Sequence, residues 1–213
     1  MAAAMKGWSP LVVGIGGTLR DGSTSERALR LALTEAARLG ARTQIFAGQS
    51  LNLPHYDSIE RTERATSLVE ALRTADGVII ATPSYHGSIS GLVKNAIDYT
   101  EDLRADARSY LAGRAVGAIV CAGGAQAMGA TLGTLRTIVH ALRGWPTPFS
   151  AVINSAQRPF SADGACSDPI IAQQLAFVAE QVVEFARMRR LYESRRNGLA
   201  PQEISEAAPA QCA

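Results

Sequence analysis

Short runs of apolar residues alternate along the chain with longer stretches of helical periodicity. Five of these runs predict strands that are buried on both faces, because apolar and polar side chains do not alternate within them. They are residues 11–15, 43–46, 77–82, 116–121 and 148–153. The stretches between them predict helices that cross back over the sheet, so we expect one open parallel sheet with an α/β fold.

Capping signals help to place the predicted helices. Ser23 stands three residues before Glu26, as in a capping box, and Asp168-Pro169 is typical of a helix start. The predicted helices are 23–39, 57–74, 91–102, 130–142 and a long last helix from 168, with a buried stripe of Ile171, Leu175, Val178, Val182 and Phe185. Residues 196–213 are rich in Ala, Gly, Pro and Gln and predict a mobile tail, so we assign a single domain to residues 1–195.

The composition is that of an ordinary globular enzyme and excludes several classes of protein. The 213 residues are 47% hydrophobic and 19% charged, and a net charge of +2 gives no reason to expect nucleic-acid binding. No apolar run approaches the roughly 20 residues of a membrane span, and residues 1–10 lack the apolar core of a signal peptide. The three cysteines, Cys121, Cys166 and Cys212, show no metal or redox spacing, so we expect reduced thiols in the cytoplasm.

The loop after the first strand has the composition of a phosphate site. Residues 16–27 read Gly-Gly-Thr-Leu-Arg-Asp-Gly-Ser-Thr-Ser-Glu-Arg and lead into a capped helix. Glycines permit tight turning, hydroxyls donate hydrogen bonds, and the helix N-terminus favours an anion. Arg20 can add a charge-assisted hydrogen bond. The alternative is that Ser23 only caps the helix and Arg20 is solvated, which does not explain Thr18, Arg20 and Ser25 together.

Particular residues exclude the two commonest nucleotide motifs. A Walker A loop needs Gly-Lys followed by Ser or Thr, and the chain has no such triplet. Gly14 and Gly16 begin a dinucleotide fingerprint, but Leu19 stands at its third glycine and no carboxylate ends the second strand. The hydroxyl-rich loop suits a phosphomonoester such as that of FMN.

The loop after the third strand can accept a flat ligand. Residues 81–91 read Ala-Thr-Pro-Ser-Tyr-His-Gly-Ser-Ile-Ser-Gly, and the glycine at 87 lets backbone approach a ring closely. Tyr85 and His86 offer ring faces and polar edges. The alternative interpretation is an ordinary turn with Tyr85 in the core.

The loop after the fourth strand contains two adjacent glycines, Gly123 and Gly124, which again permit close backbone approach. We interpret them as ligand contacts. For Gly129, further along the same loop, a simple turn from strand to helix is the favoured interpretation.

Together these loops resemble the NAD(P)H-dependent FMN reductase family of the flavodoxin-like superfamily. The first matches the pattern Gly-Ser/Thr-x-Arg-x-x-Ser at 17–23. The second matches Thr-Pro-x-Tyr-x-Gly-Ser-x-x-Gly-x-x-Lys-Asn-Ala-x-Asp at 82–98. The resemblance covers about residues 11–153. It implies a flavodoxin-like doubly wound sheet of five parallel strands in the order 2-1-3-4-5, with helices on both faces.

The same resemblance implies which residues bind FMN. The phosphate would be held by Thr18, Arg20, Ser23 and Ser25, although many members have Asn shortly after the loop serine. The flavin ring would lie along Pro83, Ser84, Tyr85, His86, Gly87 and Ser88, with Gly123 and Gly124 at its pyrimidine side. Family members commonly form homodimers or homotetramers, with the helix of Lys94 and Asp98 near the subunit contact. A surface ion pair within that helix is the alternative.

We therefore expect NADPH or NADH to pass a hydride from nicotinamide C4 to flavin N5, with no catalytic side chain and no metal. The acceptor stays open. FMN could leave as FMNH2 and supply a partner monooxygenase, or a tightly bound flavin could reduce a quinone, azo dye or metal oxyanion. A flavodoxin-type electron carrier without NAD(P)H activity is a third possibility. Such carriers are usually strongly acidic, and the charge of +2 argues against this class.

Overall fold

The computed structural model describes residues 7–56 and 62–198, with side chains described as far as residue 196. The strands are β1 (Leu11–Gly16), β2 (Arg42–Ala47), β3 (Gly77–Tyr85), β4 (Ser88–Ile89), β5 (Ala115–Ala122), β6 (Trp145–Pro146) and β7 (Ala151–Asn154). The helices are α1 (Thr24–Arg38), α2 (Glu63–Thr74), α3 (Gly91–Asp98), α4 (Ala125–Ala141) and α5 (Pro169–Gly198). Short 3₁₀ helices follow β2, α3 and β7, at Gly48–Leu51, Tyr99–Leu103 and Ser155–Gln157.

The strands form a doubly wound parallel sheet with five strand positions. Its order is β2-β1-β3-β5, and both β6 and β7 then pair in parallel with β5. With β6 and β7 counted as one interrupted strand, the expected order 2-1-3-4-5 is confirmed, and this is the flavodoxin-like order. The two-residue strand β4 is an addition that the sequence pattern did not predict, and it pairs antiparallel with the end of β3.

Of the predicted fifth strand, 148–153, only residues 151–153 are in a strand, β7. A separate short strand, β6, precedes the predicted range at Trp145–Pro146, so the fifth strand position consists of two halves. Prolines at 146 and 148 lack the N–H that a continuous ladder needs. Between the two halves, the Thr147 hydroxyl donates a hydrogen bond to the Phe149 carbonyl at 2.8 Å. The edge of the sheet is therefore built from two short segments, β6 and β7.

Several helix boundaries differ from the prediction. Helix α4 begins at Ala125 rather than at 130, so Gly129 lies inside the helix and not in a turn. Helix α3 ends at Asp98 and the chain continues as a 3₁₀ helix. The predicted start of the second helix at residues 57–61 lies outside the described residues, as do residues 199–213 of the predicted tail.

The last helix begins as predicted. The Asp168 carboxylate accepts hydrogen bonds from the backbone N–H groups of Ile170 and Ile171, at 2.8 and 3.3 Å. Four of the five residues of its predicted inner stripe are buried, and Phe185 is half-buried. The stripe packs on one face of the sheet together with α1, and α2, α3 and α4 cover the opposite face.

Arg114 closes the amino edge of the sheet, just before β5. Its guanidinium is completely buried and donates hydrogen bonds to the carbonyls of Arg73, Ala75, Tyr110 and Ala112. Burial lowers the pKa of this side chain to about 10. The group stays protonated at neutral pH and satisfies carbonyls at the end of α2 that would otherwise lack donors.

Candidate functional site

The loops that follow β1, β3 and β5 start side by side at the carboxyl edge of the sheet. Gly16 pairs with Ala81, and Ala81 pairs with Ile119 on β5. The Gly17 N–H donates a hydrogen bond to the Ala81 carbonyl at 3.2 Å, which fixes the first loop against β3. This edge, where the winding reverses, is the place where doubly wound sheets bind their ligands.

Glycine is required where the first loop leaves the sheet. A Cβ at Gly16 would lie 2.1 Å from the Ala81 carbonyl oxygen, far inside van der Waals contact. Gly17 has a φ of +93°, and its Cβ would meet Glu26 Cβ at 3.1 Å. The chain can turn tightly above the sheet because neither position carries a side chain.

The start of α1 leaves backbone donors free. The Ser23 hydroxyl accepts a hydrogen bond from the Glu26 N–H at 3.3 Å, and the Arg27 N–H donates to the Ser23 carbonyl at 2.9 Å. Within the described part of the chain, the amides of Thr24 and Ser25 have no acceptor. Free amides at a helix N-terminus bind anions, because the helix dipole adds to their hydrogen bonds.

The four residues predicted to hold phosphate lie together at this loop and helix start. The Thr18 hydroxyl accepts a hydrogen bond from the Arg20 N–H at 3.1 Å and shapes the turn. The Arg20 side chain is exposed, and it forms no ion pair within residues 7–56 and 62–198. The hydroxyls of Ser23 and Ser25 are buried and 3.5 Å apart. Capping therefore explains the Ser23 hydroxyl, whereas the Arg20 guanidinium is free to meet an anion.

Two side chains that were not among the predicted phosphate ligands, Glu26 and Arg27, hold this loop in place. The buried Glu26 carboxylate accepts from the Gly22 N–H at 3.2 Å and from Arg30 at 2.8 Å. In a standard capping box this carboxylate would accept a hydrogen bond from the N–H of the N-cap residue, Ser23. Here it accepts from the N–H of the preceding residue, Gly22. The Arg27 guanidinium donates to the carbonyls of Phe160 and Ser161, which joins the segment after β7 to the loop. The capping spacing pointed to Glu26, but no local signal pointed to Arg27.

The loop after β3 is a hairpin. Tyr85 pairs with Ser88, and the two residues between them, His86 and Gly87, have φ values of 54° and 80°. Two positive φ angles in a two-residue loop are typical of a type I′ turn. Tyr85 is 53% exposed, so the alternative that it is a core aromatic is wrong.

Hydroxyl groups hold the hairpin in place through hydrogen bonds to neighbouring elements. The Ser84 hydroxyl lies 2.6 Å from the Thr131 hydroxyl on α4. This predicted site residue is therefore hydrogen-bonded to α4. The Thr82 hydroxyl donates to the Pro83 carbonyl at 2.8 Å and accepts from the Ser90 N–H at 3.1 Å. These bonds fix the hairpin with respect to α3 and α4, although neither Thr82 nor Thr131 was predicted.

The loop after β5 is open. Gly123 and Gly124 are exposed, and a Cβ on either would meet nothing within 4 Å. Gly124 is the N-cap of α4 and provides no side-chain acceptor. Among the described residues, the amides of Ala125 and Gln126 are without acceptors. A third loop at the same edge thus presents free donors beside an open surface.

These features fit a ligand with an anionic end and a flat ring, as FMN has. Within the described residues, no group of three His, Cys, Asp or Glu side chains could hold a metal ion. Burial raises the pKa of the Cys121 thiol, at the end of β5, to about 12, so it carries no thiolate at neutral pH. None of the described helices is long and apolar enough to cross a membrane.

Comparison with known proteins points to the same chemistry. Residues 10–158 match the family described as NADPH-dependent FMN reductase. The chain is 30% identical to the NADPH-dependent FMN reductase ArsH of Shigella flexneri over 178 residues, which are 82% of this chain and 68% of that protein. It is 31% identical to an FMN-dependent NADPH-azoreductase of Staphylococcus aureus (strain USA300) over 134 residues, which are 62% of this chain and 66% of that protein.

A solved structure shares the fold at lower identity. The apo form of the NADH:FMN oxidoreductase EMOB superposes with a TM-score of 0.64 and 21% identity, covering 84% of this chain and 90% of that one. The matched region of the family contains β1, β3, β5 and all three loops of the site. The chain belongs to the NADPH-dependent FMN reductase family.

Proposed function

We propose that the chain binds FMN across the loops after β1, β3 and β5 and reduces it with NADPH or NADH. The observation that carries this proposal is the start of α1: among the described residues, the amides of Thr24 and Ser25 have no acceptor, and the exposed Arg20, which precedes them by four and five residues, forms no ion pair. An anion of the size of a phosphomonoester suits this arrangement. The ring of the same ligand then has the two glycine-containing loops beside it.

The phosphate end is bound by groups that are already ordered. Glu26 fixes Gly22, and the Thr18 hydroxyl fixes the turn at Arg20, so few side chains need to move when the anion arrives. A prearranged site loses less free energy in ordering its own groups on binding. Arg20 supplies the positive charge, and the N–H groups of Thr24 and Ser25 orient the phosphate through directional hydrogen bonds.

The ring end is bound by shape. The type I′ hairpin holds Tyr85 above the sheet edge, where its ring can contact the flavin. Gly123 and Gly124 leave open space on the other side. The free amides at the start of α4 favour negative charge that develops on the ring during reduction. When bound, FMN supplies the redox chemistry, acceptance of a hydride at N5 from nicotinamide C4.

The direct test is oxidation of NADPH and of NADH by the purified chain, with and without added FMN, followed in air at 340 nm (the nicotinamide absorbance). We expect FMN-dependent consumption of at least one of the two cofactors. An Arg20→Ala variant should need much more FMN for the same rate, because its phosphate contact is lost. No oxidation of either cofactor at any FMN concentration would contradict the proposal.

A second candidate function keeps the flavin bound and passes electrons to an azo dye or a quinone. The similarity to the azoreductase of Staphylococcus aureus favours it. The two functions differ in kinetics. Ping-pong kinetics and a protein that stays yellow after gel filtration would indicate bound flavin. Sequential kinetics and a colourless protein would indicate FMN as substrate, which could then supply FMNH2 to a partner monooxygenase.

We also propose that the enzyme is a cytoplasmic homodimer or homotetramer that uses the surface between α3 and α4. A groove of 340 Å³ lies there, lined in part by Ile97, Ile138 and Leu142. Lys94 and Asp98 form an ion pair of 2.6 Å at its rim. Ile138→Glu should lower the mass in solution, and an unchanged mass would contradict this contact.

A further inference from the structure

Helix α5 has apolar side chains on two different faces. The inner face packs on the sheet through residues that include Ile171, Leu175, Val178 and Val182, all buried. A second set faces outward and consists of Ile170, Phe177, Met188 and Tyr192. A surface helix usually has one apolar stripe and a polar opposite face. The second stripe indicates a contact that the described residues do not provide.

The edge of the sheet extends this outward stripe. Trp145 of β6 packs on Phe185 with ring centroids 5.5 Å apart, and Phe149 packs on Phe177 at 5.2 Å. Two grooves, of 390 and 510 Å³, run along these contacts. We call this surface the outer α5 face, defined by Trp145, Ile170, Phe177, Phe185, Met188 and Tyr192.

The size of the outer α5 face approaches that of a protein interface. Five of its six side chains are 44–64% exposed. Since a large aromatic side chain buries about 150–250 Å² when covered, these five present on the order of 500 Å². That is near the upper end for an apolar patch on a monomer, and a stable interface needs about 800 Å² from each partner. The patch can therefore form most of such an interface.

Two charged residues, Glu184 and Arg195, lie on the same face of α5. Glu184 and Arg195 are both exposed, and neither forms an ion pair within the described part of the chain. They are separated by about three helical turns, so they lie on one side of α5 with Met188 between them. If two α5 helices pack antiparallel about a two-fold axis, Glu184 of each copy faces Arg195 of the other. An isologous contact is self-complementary in this sense.

We propose that a second copy of this chain covers the outer α5 face, with the two α5 helices antiparallel across an axis near Met188. The last residues of the same chain are a poorer occupant. Residues 199–213 contain only Leu199 and Ile204 as large apolar residues, together with two glutamates. Two large apolar side chains are fewer than the five exposed ones of the outer α5 face. The contact does not use the loops of the flavin site, so it can be tested apart from the redox activity.

The first test is the mass in solution by light scattering. We expect Met188→Glu to halve the mass of the wild-type assembly, from two copies to one, or from four to two if the α3–α4 groove also joins copies. Gln44→Glu, an added charge at an exposed position of β2, should leave the mass unchanged. Circular dichroism and FMN affinity should match the wild type in both variants. A wild-type chain of 22.5 kDa mass, or an unchanged mass for Met188→Glu, would overturn the proposal.

The second test fixes the antiparallel arrangement. Glu184→Arg and Arg195→Glu should each weaken association by about tenfold, because two symmetric ion pairs become repulsions. The double variant Glu184→Arg/Arg195→Glu should return to within about threefold of the wild type, since the pairs form again with reversed charge. Sedimentation equilibrium measures all three constants. Failure of the double variant to recover would overturn the proposed arrangement.

Discussion

The two ends of the sheet use their hydrogen-bonding groups in opposite ways. At the amino edge, Arg114 is buried and gives its donors to four backbone carbonyls of the same chain. At the carboxyl edge, the described amides of Thr24, Ser25 and Ala125 are left without acceptors, and Arg20 is exposed. Donors that the chain satisfies itself stabilise the fold, whereas donors left free mark the place where a ligand binds.

The largest effect is expected from Arg114→Met. The substitution leaves buried carbonyls without donors, and we expect a loss of about 3 kcal/mol or more in the free energy of unfolding. FMN affinity should stay within about threefold of the wild type, because this edge does not contact the ligand. Urea denaturation and an FMN fluorescence titration measure the two quantities. If Arg114→Met does not fold, the milder Arg114→Lys should also lose stability while keeping its FMN affinity. A loss of FMN affinity without a loss of stability would contradict the structural role of Arg114.

Arg20→Ala should show the reverse pattern. We expect FMN binding to weaken by about 1.5–3 kcal/mol, the usual contribution of a charged hydrogen bond, with stability nearly unchanged because the side chain is exposed. Riboflavin, which lacks the phosphate, serves as the matched ligand, and its affinity should not change. Equal losses for FMN and riboflavin would place the phosphate elsewhere.

Gly16→Ala and Gly123→Ala compare two glycines of the same edge. The added Cβ at Gly16 would clash with the Ala81 carbonyl at 2.1 Å, so we expect a loss of about 1–3 kcal/mol in stability and weaker FMN binding. The added Cβ at Gly123 meets nothing within 4 Å, and stability should change by about 0.5 kcal/mol or less. Urea denaturation of both variants tests this, and equal losses would be inconsistent with the packing described.

Tyr85→Ala should weaken FMN binding less than Arg20→Ala does. The ring is exposed, so stability should hold, but FMN affinity should fall by about 0.5–1.5 kcal/mol if the ring packs on the flavin. Tyr85→Phe keeps the ring and should bind FMN as the wild type does. If Tyr85→Ala binds FMN as tightly as the wild type in a titration, the Tyr85 ring of the hairpin does not contact the flavin.

The apolar pattern was sufficient to predict one parallel sheet, and the resemblance to the FMN reductase family supplied its strand order. Continuous apolar runs such as 77–82 specify buried parallel strands, and that arrangement fixes which loops meet. The capping signals of Ser23 and Asp168 act locally, so they could be read directly from neighbouring residues. These features depend on periodicity and short-range hydrogen bonds, which a sequence contains explicitly.

The missed features depend on contacts that are distant in the sequence or on weak local signals. Helix α4 begins after Gly124. A glycine N-cap has no capping side chain, so the sequence contains no signal that marks this helix start. The hairpin has His86 at a positive φ where Asn or Asp is usual, so the turn was not recognised. Arg27 reaches carbonyls more than 130 residues away. Tertiary packing, and not local pattern, selects these partners.

The most direct test of the site is a crystal structure of the chain soaked with FMN. We expect the phosphate to accept hydrogen bonds from the amides of Thr24 and Ser25 and from Arg20, and the ring to lie between Tyr85 and Gly123. A phosphate bound away from the start of α1, or a ring outside these two loops, would contradict the central claim.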